Sequence, residues 1–76
     1  MRITYDPAAD ALYLELKDAD ANDNIDLQEG VTADLDAEGN IIGIEILDAR
    51  RRYGASVDSM AYERLVDGAA EQAAAR

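Results

Sequence analysis

Apolar and polar residues alternate along much of the first two-thirds of the chain. In Arg2-Ile3-Thr4-Tyr5, Ile3 and Tyr5 share one side, the period of a strand. Asp6-Pro7 follows and predicts a tight helical turn through Asp10. The Asp6 carboxylate can accept from the amides just after it, and Pro7 pre-sets φ. The stretch from Ala11 to Lys17 pulls two ways. Its Ala, Leu, Glu and Lys are good helix formers, and Asp6-Pro7 is a fitting helix start. Leu12, Leu14 and Leu16, however, alternate with Tyr13 and Glu15, the spacing of a half-buried strand. The alternation is the stronger of the two signals.

Residues 18–30 read as an acidic loop, with Ile25 and Leu27 available to touch the core or pair briefly as a strand. A hairpin is expected next. Val31, Ala33 and Leu35 alternate with Thr32, Asp34 and Asp36, and Ala37-Glu38-Gly39-Asn40 turns the chain, with Gly39 suited to a left-handed position. Ile41 to Leu47 returns as a β-branched, central strand whose Ile42, Ile44 and Ile46 face the core. After the run Arg50-Arg51-Arg52, Tyr53-Gly54 breaks the pattern. Asp58 or Ser59 then caps an expected helix reaching the mid-70s, with Tyr62, Leu65, Val66, Ala69 and Ala73 at helical spacing. The predicted core is Leu12, Leu14, Leu35, Ile42, Ile44 and Ile46, with Leu65 and Val66 packing onto it. Tyr13, Ile41 and Leu47 point to the opposite face, and apolar residues on an open sheet predict a homodimer.

Composition narrows the chemistry. The 76 residues fit one domain, with no Cys and no His. Disulfides are thereby excluded, zinc and iron–sulfur sites lose their usual ligands, and the commonest general base and the best nucleophile are missing. Ser56 and Ser59 flank Asp58 without a base at fitting spacing, and no glycine-rich phosphate loop occurs. Asp34 and Asp36 fall on one strand face, where solubilising the hairpin is the simpler role. A non-enzymatic protein is expected. Seventeen acidic against seven basic residues give a net charge of −10, which repels nucleic acid and anionic membrane and favours a basic protein or a divalent cation. No apolar run reaches membrane-spanning length and the start lacks a leader pattern, so a cytoplasmic location is expected.

The acidic loop contains one metal-like spacing. Asp18, Asp20, Asn22, Asn24, Asp26 and Glu29 fall at relative positions 1, 3, 5, 7, 9 and 12 of an EF-hand calcium loop. Asp23 stands where that loop needs glycine, and the flanks read as strands, so a solvated connector competes with calcium binding. No other cofactor is expected. The three arginines are expected to pair with local carboxylates such as Asp48 and Glu45, or with the C-terminal end of a second copy.

Tyr5-Asp6-Pro7, Asp10 and Leu12-Tyr13, then Gly30-Val31, Asp34, Asp36, Gly39 and the run Gly43 to Ala49 form an ordered two-part signature. Over roughly residues 2–52 it resembles the bacterial and archaeal family catalogued as domain of unknown function 2283. The resemblance implies a compact antiparallel sheet of two hairpins with a helix or C-terminal extension, which turns Ala11–Lys17 toward strand. It implies little about activity, because the family has no established enzymatic function. It also implies an association of some members with toxin–antitoxin pairs, as partners of small basic toxins. The combined expectation is an α+β domain: residues 1–52 form a four-stranded antiparallel sheet of two β-hairpins, and residues 53–76 form a C-terminal helical extension on one face. Its expected role is a non-catalytic protein-binding module, antitoxin-like, with Tyr53, Met60, Tyr62, Leu65 and Val66 as the partner-binding residues. A calcium-binding domain and a self-associating structural protein are the alternatives.

Overall fold

A computed structural model describes residues 1–66. It contains five strands: β1 (Arg2–Asp6), β2 (Ala11–Glu15), β3 (Asp23–Gln28), β4 (Val31–Leu35) and β5 (Ile41–Leu47). A short helix α1 (Ala49–Tyr53) and a 3₁₀ turn (Gly54–Asp58) follow. The strands form one sheet in the order β1-β2-β5-β4-β3, every neighbouring pair antiparallel. The four expected strands are present and β5 is central. The expected four-stranded sheet is corrected to five, because Asp23–Gln28 adds an outer strand where a loop was the leading reading. Its Asp and Asn content hides the alternation of Ile25 and Leu27, and the backbone of β4 supplies the pairing that propensity alone does not.

The register lines up transverse rows across the sheet. Ile3, Leu14, Ile44, Ala33 and Ile25 form one row through all five strands, and Tyr5, Leu12, Ile46 and Val31 form the next. These rows make the apolar face. The polar face carries Thr4, Tyr13, Glu45, Thr32 and Asp26 in one row and Arg2, Glu15, Gly43, Asp34 and Asn24 in another. The connection from β2 to β3 crosses the end of the sheet, where the amides of Leu16 and Lys17 donate to the Ile42 carbonyl and that of Asn22 to the Leu35 carbonyl.

The cover on the apolar face is small. Ala49 of α1 and Val57 of the 3₁₀ turn bury themselves against Leu12, with Tyr5, Leu14 and Ile46 packed around them. Of the predicted core, Leu12 and Ile42 are buried, whereas Leu14, Leu35, Ile44 and Ile46 are only half-buried. Leu65 and Val66 are 74% and 84% exposed and do not pack on the sheet. Residues 59–66 form no helix that could carry them onto the sheet, and the remainder of the expected helix, residues 67–76, lies outside the described residues. The helix that does form begins at Ala49. Its N-terminus is held from far away in sequence: the Ala49 amide donates to the Asp10 carbonyl (3.0 Å), and the Arg50 amide to Asp10 Oδ1 (2.8 Å).

Candidate functional site

After the 3₁₀ turn the chain runs without regular structure beside β1 and β2. Met60, Ala61 and Tyr62 form one wall of a groove of about 700 Å³, and Met1, Ile3, Leu14 and Leu16 form most of the other. The groove is therefore largely apolar, with Arg2 and Glu15 at its rim in an ion pair of 3.3 Å. Of the predicted partner-binding residues, Met60 is 47% exposed, Tyr62 90%, Leu65 74% and Val66 84%. They share one segment, residues 60–66, but only Met60 and Tyr62 line the groove. Tyr53, at the end of α1, is 45% exposed and not among the lining residues.

The six residues with calcium-loop spacing are not gathered. Asn24 and Asp26 lie on β3, Asp18, Asp20 and Asn22 precede it, and Glu29 sits in the turn after it. A six-residue strand extends over about 17 Å, whereas calcium draws its ligands to within about 2.3–2.6 Å of one point. Asp26 instead accepts from the Thr32 hydroxyl at 3.4 Å, and Asp23 from the Asn24 amide at 2.8 Å.

The arginine run is spent locally. Arg50 meets the Asp58 carboxylate with two hydrogen bonds (3.1 and 2.6 Å) and lies over the Tyr5 ring, 5.8 Å from its centre. Arg51 reaches Asp48 at 2.8 Å. Arg52 donates to the carbonyls of Leu47 and Glu29, clamping the β3–β4 turn. Tyr5 donates to Asp10 at 2.8 Å. These contacts shift the ionisations in consistent directions. The Arg50 amide and the Tyr5 hydroxyl hold Asp10 below the usual carboxylate range, and the Asp10 bond raises Tyr5. Asp58 is lowered and Arg50 raised by each other. Each shift moves a group further from neutrality, so the cluster anchors the helix and is not poised to exchange a proton near pH 7.

Residues 2–50 match the family model described as a protein of unknown function, DUF2283. The chain belongs to that family. No curated protein and no solved structure matches it. Among the described residues no helix is long and apolar enough to cross a membrane.

The signature residues of this DUF2283 chain prove to be turn and packing devices. Asp6 Oδ1 accepts from the amides of Ala8 and Ala9, as its place before Pro7 predicts. Asp36, expected to be a solubilising residue, is buried, and its Oδ1 accepts from the amides of Glu38 (3.0 Å) and Asn40 (2.9 Å). Those bonds, with Lys17 3.9 Å away, hold its carboxyl below the usual range. Gly39 takes the left-handed conformation expected of it, φ 85°. Asp34 receives the Tyr13 hydroxyl at 2.8 Å, which pushes the phenol up to about 12. Tyr13 thus crosses β5 at Gly43, where a Cβ would overlap the Tyr13 hydroxyl oxygen. The sequence offered one missed clue: a glycine in an otherwise β-branched strand signals a close approach by another group. The groove, by contrast, joins strands inside the family match to Met60–Tyr62, which lie beyond it.

Proposed function

We propose that the chain is a non-catalytic protein-binding module that captures a basic partner through the segment 59–66 and the groove it forms with β1 and β2. The observation that supports this most is the row of exposed apolar side chains at Met60, Tyr62, Leu65 and Val66 in a segment with no helix or strand of its own. Such a segment gains burial and order on contact, and Tyr and Met are suited to anchor an interface. The net charge of −10 steers a basic partner to it, while the apolar side chains supply the lasting affinity. The association of related proteins with small basic toxins, implied by the family resemblance, makes an antitoxin role the specific form of this reading.

The test is binding of the basic product of an adjacent gene, measured by titration calorimetry at low and physiological salt. Tyr62→Ala with Leu65→Ala should weaken capture by about ten-fold or more, on the scale of interface anchors, and leave the melting temperature unchanged. Unchanged affinity in that variant removes the segment from the interface. No capture even at low salt, where acidic steering is strongest, removes the reading altogether.

A further inference from the structure

We propose that β1 is a self-complementary dimerisation edge: two copies pair antiparallel through residues 2–6 about a two-fold axis at Thr4, joining their sheets. β1 is one of the two outer strands, and among the described residues no backbone group outside the β1–β2 ladder bonds to it. An outer strand with unpaired backbone groups is a template for another chain. The opposite edge is guarded. β3 carries Asp23 and Asp26, Glu29 follows it, and its register shifts between Asp26 and Gln28. Acidic side chains and such irregularities are the usual means of blocking edge pairing. β1 pairs with β2 over all five of its residues with no shift, and its two charges are of opposite sign at its two ends.

The sequence of β1 selects the occupant. With Thr4 facing Thr4 of a second copy, Arg2 meets Asp6 of the second copy twice, and Ile3 meets Tyr5 of the second copy twice. The pairing holds whichever alternate set of β1 amides points outward. If residues 3 and 5 point out, Ile3 and Tyr5 exchange the ladder bonds; if 2, 4 and 6 do, the Thr4 pair and the Arg2–Asp6 pairs exchange them. A slip of one residue sets the apolar row against the polar one, and a slip of two leaves Arg2 or Asp6 without its opposite charge. The correct register continues the apolar face across the junction, giving Ile3, 51% exposed, an apolar neighbour. The acids of β3 lie four strand spacings away, about 19 Å, beyond roughly two Debye lengths at physiological salt, so they oppose this contact only weakly.

The full chain should show a concentration-dependent monomer–dimer equilibrium by sedimentation. Arg2→Glu, which places like charges opposite each other at both ends, should raise the dimer dissociation constant by about ten-fold or more. The chain has no cysteine, so Thr4→Cys introduces a single thiol. At the two-fold axis the two Cα atoms stand about 4.5–5.5 Å apart, within disulfide reach, so mild oxidation should cross-link this variant nearly completely. Arg2→Cys should not cross-link, its two positions being about 14 Å apart. A monomer mass at every concentration overturns the proposal. So does a dimer that Arg2→Glu leaves intact and Thr4→Cys fails to link, which would place the contact on a sheet face. If Arg2→Glu does not fold, the paired cysteine variants decide the question alone.

Discussion

The β1–β2 and β3–β4 hairpins carry the same alternation of apolar and polar residues and flank the same central strand, yet they are finished differently. The first is closed by an aspartate-held turn, keeps an unbroken register and receives Ala49 and Val57 on its apolar side. The second is closed by Gly30, shifts register between Asp26 and Gln28, and its outer strand is exposed at every position. Alternation therefore specifies which face is apolar but not how much of it is buried. The cover buries Leu12 on the first hairpin, whereas Val31 and Ala33 on β4 are buried outside that cluster. The cover is held over the first hairpin by Asp10, which sits at the end of that hairpin's own turn.

The comparison is broken most directly by matched deletions. Leu12→Ala removes a buried side chain from beneath Val57 and should cost about 2–4 kcal/mol, measured by denaturant unfolding. Ile25→Ala, on the uncovered strand and 45% exposed, should cost less than about 1 kcal/mol. Equal losses would mean that the two hairpins share one core and that the cover does not distinguish them.

Gly43→Ala probes the junction between the hairpins. The new methyl group displaces the Tyr13 ring and so breaks its bond to Asp34. A loss of about 1–3 kcal/mol is expected, the usual cost of crowding a packed site. Gly39→Ala provides a contrast, because no atom approaches a Cβ there and the cost arises from the left-handed backbone alone. A Gly43→Ala variant as stable as the original would show that Tyr13 can leave Gly43 freely.

The same contrast explains what was legible in the sequence. β5 and β4 were readable because Ile42, Ile44 and Ile46 and Val31, Ala33 and Leu35 combine alternation with high strand propensity. The β1–β2 turn was readable because Asp6-Pro7 acts on its immediate neighbours. β3 was obscured because Asp23, Asn24 and Asp26 disfavour strands locally, and only pairing with β4 overrides them. The helix was misplaced for a related reason. Ala49–Tyr53 is too short to announce itself by periodicity and depends on Asp10, forty positions earlier, whereas Ser59 onward has a helical spacing that no cap or packing surface supports as far as Val66. Of the candidate site, the apolar side chains of residues 60–66 were visible one by one. The groove was not, because it needs Leu14 and Leu16 brought beside Met60 by the fold.

A modest effect is expected at the polar tie between the hairpins. Tyr13 belongs to the first and Asp34 to the second, so their hydrogen bond spans β5. The bond needs the phenol protonated, and the nearby Asp34 charge opposes the phenolate, which together raise the Tyr13 pKa from 10.0 to about 12. A pKa raised in the folded state means stability that is fully present below the unfolded value, near pH 10, and lost as pH rises through about 12. Phenolate absorbance should therefore show Tyr13 ionising later than a free tyrosine, and the folded protein should weaken across that same window. Tyr13→Phe should cost about 1 kcal/mol at neutral pH, since it leaves Asp34 without its donor, and should reduce the alkaline loss. Tyr5, raised by its bond to Asp10 within the first hairpin, keeps a remnant of that loss in the variant. If the variant and the original weaken in parallel from pH 10 upward, the tie between the hairpins contributes nothing, and β5 alone joins them.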